Sequence, residues 1–485
     1  MGIVIKQSFT NTITTYLGFG LGAINTLFLY TNFISDTYYG LVAFILSTAN
    51  ILTPLMAFGV QNTMIKFYST FKSKHSLNSF LTVMLLLPLL IVIPLGLFGV
   101  SCYNFIADLL SQQNTIVKDY VWYIFIAAVS MAYFEVFFAW SKTQMQTVFG
   151  NFMKEVFHRL AIMSLLFAVF LEYITVEEFI LNVIIIYILR MIIMMFYAFS
   201  IRLPVFTLRR IDNLGSILKY SLLIILAGSI ATIILDIDKF MLGQYMPIEK
   251  VAYYSVAIFI ATVIAVPQRA MHQIMLPMTA KYLNDKNKPA LEDLYKRSSL
   301  NLYVVTGFIY LLIILNVNEL YMIIPHEFRN GIIVVLLIST AKLSDTVLGN
   351  NNAILFNSDY YRMVLFFGLI LTVLIVILNM IFIPIYGING SAFATFIAVL
   401  IYNSIKLLFI KKKLNMLPFT ESTLKLSVFL VICILGFYFW DFPFHPILNM
   451  ISKSALIGII YTYIIYKMNV SEEISGIIKR YLKLN

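Results

Sequence analysis

The chain has 485 residues, of which 61% are hydrophobic and 12% are charged, and its mean hydropathy is +0.90. A soluble globular domain carries about a quarter charged residues, so this composition excludes a soluble fold and indicates an all-α polytopic membrane protein. The net charge is +11, but Lys and Arg lie mostly in short loops between apolar runs. The charge therefore reports membrane topology, and it does not indicate a nucleic-acid partner.

The sequence lacks the residue patterns of cofactor, metal and catalytic sites. The two cysteines, Cys102 and Cys433, predict no disulfide framework, and the five histidines show no metal-ligand spacing. No phosphate-binding loop of the form G-x-x-x-x-G-K-[ST] is present. We therefore expect no cofactor, no metal and no enzymatic activity.

Apolar runs of membrane length follow one another along the whole chain. A spanning helix needs about 20 mostly apolar residues, which allows about 14 transmembrane helices here. The predicted spans are residues 11–32, 39–60, 80–100, 120–140, 156–171, 179–200, 216–241, 251–272, 300–317, 330–348, 363–383, 391–410, 424–440 and 447–466. The charged loop 273–299 is predicted to lie along the cytoplasmic surface.

The distribution of basic residues predicts the orientation. With the N-terminus in the cytoplasm, most Lys and Arg fall in inside segments, for example Lys142, Lys154, Arg159 and the run 411–413. The outside segments carry few: Lys118, Lys239, Lys250, Arg329 and Lys453. The positive-inside rule therefore predicts that both termini are cytoplasmic.

A charged tetrad interrupts the seventh apolar run near the middle of the chain. The tetrad is Asp236-Ile237-Asp238-Lys239, and apolar stretches lie on both sides of it. A charge at bilayer depth costs about 2.5 to 3.5 kcal/mol, so it normally faces protein or a water-filled cavity. We expect the tetrad to line a central cavity between two helical bundles.

Further intramembrane charges are candidate substrate or cavity residues. The full set is Arg190, Asp236, Asp238, Lys239, Glu135, Lys342, Asp345 and Arg269. Arg190, at midspan, would suit a pyrophosphate, because Arg binds phosphate through a planar fork of donors. The alternative is a buried ion pair with Glu135 or with an Asp of the seventh span. Lys342 and Asp345 are three residues apart and would neutralise each other on one helix.

A weak internal repeat indicates two halves. Asp36-Thr37-Tyr38-Tyr39 opens the second span, and a similar Tyr253-Tyr254 pair lies near the start of the eighth. Two six-helix bundles are a common construction of secondary transporters. We predict an N-terminal bundle at 1–213, a second bundle at 214–410, and two additional helices with a cytoplasmic tail at 411–485.

The turn between the eleventh and twelfth spans is the most specific motif. Pro384, Gly387 and Gly390 are predicted to form a tight turn, and a run of small residues at 391–395 follows. This stretch resembles the corresponding turn of polysaccharide transporters in the multidrug/oligosaccharidyl-lipid/polysaccharide exporter superfamily. The segments 238–243 and 59–68 are also similar to that family, although Ala252 or Tyr253 stands where the family often has Gly.

The resemblance implies a flippase that moves polyprenyl-pyrophosphate-linked oligosaccharide from the cytoplasmic to the periplasmic leaflet of the bacterial inner membrane, as in O-antigen or capsule synthesis. The implied partners are the lipid-linked oligosaccharide, membrane lipids, a coupling ion (H+ or Na+) and polysaccharide-assembly proteins. A multidrug cation antiporter of the same superfamily is the alternative. A polysaccharide polymerase or ligase fits less well, because such enzymes carry one large periplasmic loop and every outside segment here is short.

Overall fold

The structure is a computed structural model that describes residues 2–207, 211 and 213–482, without the side chains of 2–6, 8–9, 226–235, 270, 273, 361, 477–478 and 481–482. The described residues form helices and connecting segments, with no strand among them. Arg209 and Arg210, which entered the orientation argument as loop charges, lie outside the described residues. The chain divides into two compact units, Met1–Ser255 and Val256–Asn485.

The first unit is built from thirteen helices among the described residues, the last of which continues into the second unit. They are α1 (Gly2–Ile24), α2 (Tyr30–Phe33), α3 (Asp36–Met56), α4 (Val60–Phe67), α5 (Lys74–Leu86), α6 (Leu89–Ser101), α7 (Tyr103–Leu110), α8 (Val121–Thr143), α9 (Val148–Phe152), α10 (His158–Phe170), α11 (Val176–Ile201), α12 (Leu214–Tyr245) and α13 (Glu249–Thr262). In this unit α8 packs against α3, α4 and α11, and α12 packs against α3.

The second unit contains eight further helices in the part of the chain that the structure describes. They are α14 (Val266–Asn284), α15 (Lys288–Ile323), α16 (Ile332–Thr346), α17 (Asn351–Asn357), α18 (Tyr361–Leu414), α19 (Glu421–Phe437), α20 (Pro446–Lys467) and α21 (Glu472–Leu482). Here α15 packs against α14, α16, α19 and α20, and α18 packs against α16 and α17.

Among the described residues, nine helices are long and apolar enough to cross a membrane, or ten when the bent pair His326–Thr346 and Asn351–Asn357 counts as one span. The protein is therefore an all-helical, multi-pass membrane protein, as predicted. Each of the predicted spans is mostly helical, and the spans 11–32, 80–100 and 251–272 each run over two helices. The total of 14 and the cytoplasmic termini stay predictions, and so does the division at 213 and 410.

The turn predicted at Pro384 to Gly390 lies between two helical segments of α18 (Tyr361–Leu414). Gly387 leaves the helical conformation there, with φ 59° and ψ −133°, and the chain folds back, since the rings of Phe382 and Phe393 lie 5.2 Å apart. That conformation is open to Gly and strained for other residues. Gly390 was expected to adopt a turn conformation, but its role is close approach: a Cβ there would overlap the carbonyl of Phe382.

Two predicted elements differ in extent from the helices of the structure. The segment 273–299 is mostly helical, because α14 ends at Asn284 and α15 begins at Lys288. The fifth predicted span, 156–171, begins eight residues earlier, because α9, a π-helical turn at Met153–Phe157 and α10 follow without a break. The sequence signal failed there because Lys154, Glu155, His158 and Arg159 interrupt the apolar pattern.

Candidate functional site

The charged residues that interrupt the fifth predicted span, 156–171, and the helical turn before it lie in the first unit, opposite α8 and α11. The π-helical turn Met153–Phe157 carries Lys154 and Glu155, and Arg159 follows on α10. A second π-helical turn, Asn25–Leu29, continues α1, and Asn25 Nδ2 donates a hydrogen bond of 2.8 Å to the carbonyl of Arg159. Such π-helical turns are rare and occur frequently at functional sites.

Each carboxylate of this region is paired with a nearby cation. Lys154 Nζ lies 2.6 Å from Glu135 Oε1, and Arg159 lies 3.2 Å from Glu155 Oε2. The Glu135 pair joins α8 to the π-helical turn, whereas the second pair lies on one helix. The sequence counted Lys154 and Arg159 in an inside segment; the structure places both on helical turns, and their side of the membrane stays a prediction.

Arg190 has no carboxylate partner among the described residues. Its guanidinium carbon lies 4.3 Å from the centre of the Phe134 ring and 4.8 Å from that of Tyr187. The residue is 8% exposed, and its Nε makes no hydrogen bond. The alternative of a pair with Glu135 is not what the structure shows, since Glu135 bonds Lys154. Aromatic faces stabilise the cation without using its hydrogen-bond donors, so Arg190 retains them for an anion.

The cluster as a whole carries excess positive charge. We define the α8–α11 basic cluster as Arg190, Lys154, Arg159, Lys142, Glu135 and Glu155. It holds four cations and two carboxylates, and Lys142 Nζ adds a cation–π contact 3.8 Å from the Phe138 ring. Of these cations Arg190 is buried, Lys142 and Arg159 are half-buried and Lys154 is exposed. An excess of positive charge attracts an anionic ligand, most strongly at Arg190, where burial reduces solvent screening.

The tetrad of α12 lies in the same unit and is also paired internally. The helix continues through it without interruption. Lys239 Nζ lies 3.2 Å from Asp236 Oδ1, and Tyr254 donates a hydrogen bond of 2.6 Å to Asp238, which is 2% exposed. Asp236 also lies within electrostatic range of Tyr187, the ring that contacts Arg190.

The remaining sequence candidates lie in the second unit. Asp345 has Lys406 as its ion-pair partner at 3.3 Å, and it accepts a hydrogen bond of 3.2 Å from Gln268. Lys342, three residues away on the same helix, also acts electrostatically on Asp345, beside the ion pair with Lys406. Lys406 is 1% exposed although the sequence placed it in an inside segment, and Arg269 is exposed.

Sequence reasoning thus identified Arg190 and Glu135 but missed Lys154, Glu155 and Arg159. The signal that could have found them was the short length of the fifth predicted span, because a helix from 148 to 170 would have brought it to membrane length. The missing information was that a π-helical turn at Met153–Phe157 continues the helix through the charged stretch.

Comparisons with solved structures identify the fold. The structure of the lipid II flippase MurJ in an inward closed conformation matches with a TM-score of 0.77 and 15% sequence identity, over 95% of this chain and 99% of that one. An inward-facing MATE multidrug transporter matches with a TM-score of 0.58 and 13% identity, over 84% and 94%. A Vibrio cholerae MATE transporter variant gives 0.56 and 12%, over 86% and 98%.

At these identities the likeness shows the fold alone, which the chain shares with MurJ and MATE transporters. No curated protein sequence matches the chain. The family described as "Polysaccharide biosynthesis protein" matches residues 4–283, which is more than half of the chain and includes the α8–α11 basic cluster and the α12 tetrad. The chain therefore belongs to the polysaccharide biosynthesis protein family.

Proposed function

We propose that this protein is a flippase. It moves polyprenyl-pyrophosphate-linked oligosaccharide repeat units from the cytoplasmic to the periplasmic leaflet of the bacterial inner membrane, for O-antigen or capsule synthesis. The observation that carries the proposal is Arg190, a buried cation with no carboxylate partner among the described residues and with a free Nε. Family membership and a fold shared with a lipid flippase support it.

A pyrophosphate fits the chemistry of the α8–α11 basic cluster. Arg190 offers charged N–H donors, and Lys154 and Arg159 supply further positive charge on the facing helix. Charge-assisted hydrogen bonds to phosphate oxygens are about twice as strong as neutral ones. The polar headgroup would bind at the cluster while the hydrocarbon tail remains in the bilayer.

Outward movement needs no ATP in this scheme. A negative charge that leaves the inside-negative face gains about 2.3 kcal/mol per 100 mV. H+ or Na+ coupling through Asp236, Asp238 or Glu135 is the second available driving force.

Alternating access requires the outward end of the molecule to open. At the end of the first unit that the charge distribution predicts to face outward, hydrogen bonds join α3 to α13. Thr37 donates to Glu249 at 2.6 Å, and Tyr253 donates to Asp36 at 2.7 Å. We name these four residues the outer latch, and we propose that they separate when the predicted halves 1–213 and 214–410 move apart.

The test of the flippase is translocation by the purified protein in liposomes. A fluorescent polyprenyl-pyrophosphate oligosaccharide is followed with an impermeant quencher, for the wild type, Arg190→Ala and Arg190→Lys. We expect at least a tenfold loss of rate in Arg190→Ala, because the anion loses its unpaired cation, and a smaller loss in Arg190→Lys, which retains the charge but not the fork.

Thermal unfolding in detergent is the control for misfolding. The rate of Arg190→Ala is compared with that of the wild type only if the variant is folded. If the wild type flips the lipid and Arg190→Ala flips it at the same rate, Arg190 is not part of the substrate site. Absence of any wild-type flipping would overturn the flippase itself.

The second candidate is a multidrug cation antiporter. The MATE-like fold and the buried Asp238 favour it, since a cationic drug needs a carboxylate. Uptake of a cationic dye against a proton or sodium gradient, lost in Asp238→Asn and retained in Arg190→Ala, would establish the antiporter.

A further inference from the structure

A polar pocket of about 400 Å3 lies in the first unit, at the end of the helices that the charge distribution places in the cytoplasm. It is formed where the segment after α4 meets the start of α12. Its floor is apolar and packed: Ile217 is 1% exposed, and Phe71 stacks on Phe80 with ring centroids 4.7 Å apart. A cavity of this volume is of the size that small-molecule headgroups occupy.

The rim of this pocket is polar and lacks acidic residues. It consists of Thr70, Lys72, Ser73, Ser76 and Asn213, and no carboxylate lines the pocket in the described part of the chain. Ser73 and Ser76 use their hydroxyls in no hydrogen bond with other described residues, and Lys72 has no described carboxylate within ion-pair distance. The rim therefore combines a free cation with free hydroxyl donors.

The surrounding backbone and side chains add positive potential. Helix α5 begins at Lys74 directly after Ser73, and α12 begins at Leu214 directly after Asn213; neither has an acidic residue in its first turn. The first N–H groups of a helix have no partner inside that helix. Lys66 directly precedes Phe67, which lines the pocket, and its Nζ lies 3.8 Å from the centre of the Tyr220 ring. The neighbouring Arg209, Arg210 and Asp212 lie outside the described residues.

We propose that this pocket, the Ser73 pocket, binds the phosphate-bearing headgroup of a membrane lipid on the cytoplasmic side. Lys72 and the Ser73 and Ser76 hydroxyls contact the phosphate oxygens, and the packed rings of the floor support the adjoining part of the headgroup. Two lipids share this chemistry: the pyrophosphate-linked glycolipid that the proposed flippase would load, and an anionic phospholipid. The first of these rests on the proposed function.

The test changes the charge of the pocket without weakening the fold. Asp and Asn are both preferred residues before the first turn of a helix, so Ser73→Asp and Ser73→Asn both preserve the start of α5. Only Ser73→Asp places a negative charge beside the bound phosphate, where like charges repel. Binding of farnesyl pyrophosphate and of phosphatidylglycerol to the full-length protein is measured by native mass spectrometry, with phosphatidylcholine as the zwitterionic reference.

We expect Ser73→Asp to weaken binding of at least one anionic lipid about fivefold to tenfold, while Ser73→Asn stays within about twofold of the wild type. Lys72→Gln should weaken binding of the same lipid. The matched control is Lys412→Gln, at a basic residue exposed at the end of α18, and it should not weaken binding. Loss for farnesyl pyrophosphate alone identifies the pyrophosphate lipid as the occupant, and loss for phosphatidylglycerol alone identifies an anionic phospholipid.

Equal binding by Ser73→Asp and Ser73→Asn overturns the pocket as an anion site. Binding is measured without transport, so a protein that flips nothing but shows this charge dependence refutes the flippase and keeps the Ser73 pocket. Conversely, flipping that depends on Arg190 but is accompanied by charge-independent binding at Ser73 keeps the flippase and refutes the pocket.

Discussion

At the scale of single residues, the first unit separates two kinds of intramembrane charge. Glu135 and Asp236 have cations within 3.2 Å, and these pairs can be satisfied without a ligand. Arg190 differs because aromatic rings occupy the positions where a carboxylate would lie. These rings carry no net charge and so do not neutralise the cation. The distinction makes Arg190 the residue whose removal should affect transport more than folding.

A buried triad in the second unit has a structural role that can be measured. Lys453, which the sequence placed among the outward charges, is 2% exposed and lies 2.7 Å from Glu319 and 2.7 Å from Asp441. Breaking a buried pair strands a charge and typically costs about 3 to 5 kcal/mol.

We therefore expect Lys453→Met to lower the free energy of unfolding by about 3 kcal/mol in a denaturation experiment in detergent. The double variant Lys453→Met/Glu319→Gln should recover most of that loss, because it leaves no buried uncompensated charge. A single variant as stable as the wild type would contradict the role of the triad in holding α20 to α15.

Asp441 predicts a pH dependence of the same region. Hydrogen bonding with Glu319, and next with Lys453, lowers the pKa of Asp441 from its ordinary value to about 2. A carboxyl whose pKa is lower in the folded state stabilises the fold at pH values above the pKa of the unfolded state, near 3.9. This stabilisation is lost as the pH falls toward 2.

The midpoint temperature of unfolding should accordingly decrease as the pH is lowered from about 4 to about 2. Asp441→Asn should show a smaller decrease over that interval. Identical slopes for the two proteins would show that Asp441 does not contribute. The measurement is thermal unfolding followed by tryptophan fluorescence at a series of pH values.

At the scale of helices, the outer latch connects elements that the proposed alternating access would separate. Thr37 lies at the start of α3, and Glu249 lies at the start of α13, in the second of the predicted halves. Close packing supports the hydrogen bonds, since a Cβ on Gly40 would overlap the carbonyl of Ile248. The closed state is thus held by both polar bonds and backbone contact.

We expect a covalent link across the latch to stop transport. Thr37→Cys and Glu249→Cys, joined by a short cleavable bismaleimide in a background with Cys102→Ser and Cys433→Ala, should reduce flipping at least tenfold, and cleavage of the linker should restore it. A linked protein that flips at the rate of the unlinked protein would show that transport does not require this end to open.

At the scale of the whole molecule, labelling of single cysteines tests the predicted orientation in the membrane. Two exposed positions provide the test: Gln113, between the predicted third and fourth spans, and Lys412, after the twelfth. In intact cells, Gln113→Cys should react with a membrane-impermeant maleimide, whereas Lys412→Cys should react only after permeabilisation, because the positive-inside rule places it in the cytoplasm. The reverse pattern would invert the predicted topology and, with it, the side of the Ser73 pocket.

The sequence by itself determined the features that depend on local composition. Apolar runs of about 20 residues identify a multi-pass helical protein, because the bilayer imposes that length on any spanning helix. The positive φ at Gly387 was also accessible, since only glycine adopts that conformation without strain.

The tertiary structure decided which charges meet. Lys453 and Glu319 are 134 positions apart, and Lys406 and Asp345 are 61 apart, so no helical periodicity could pair them. The fifth span was misjudged for a related reason: Glu135 on α8 neutralises Lys154, and this long-range contact allows a charged stretch to continue a buried helix. Desolvation of a charge depends on all of its neighbours in space, and these are defined only once the helices have packed.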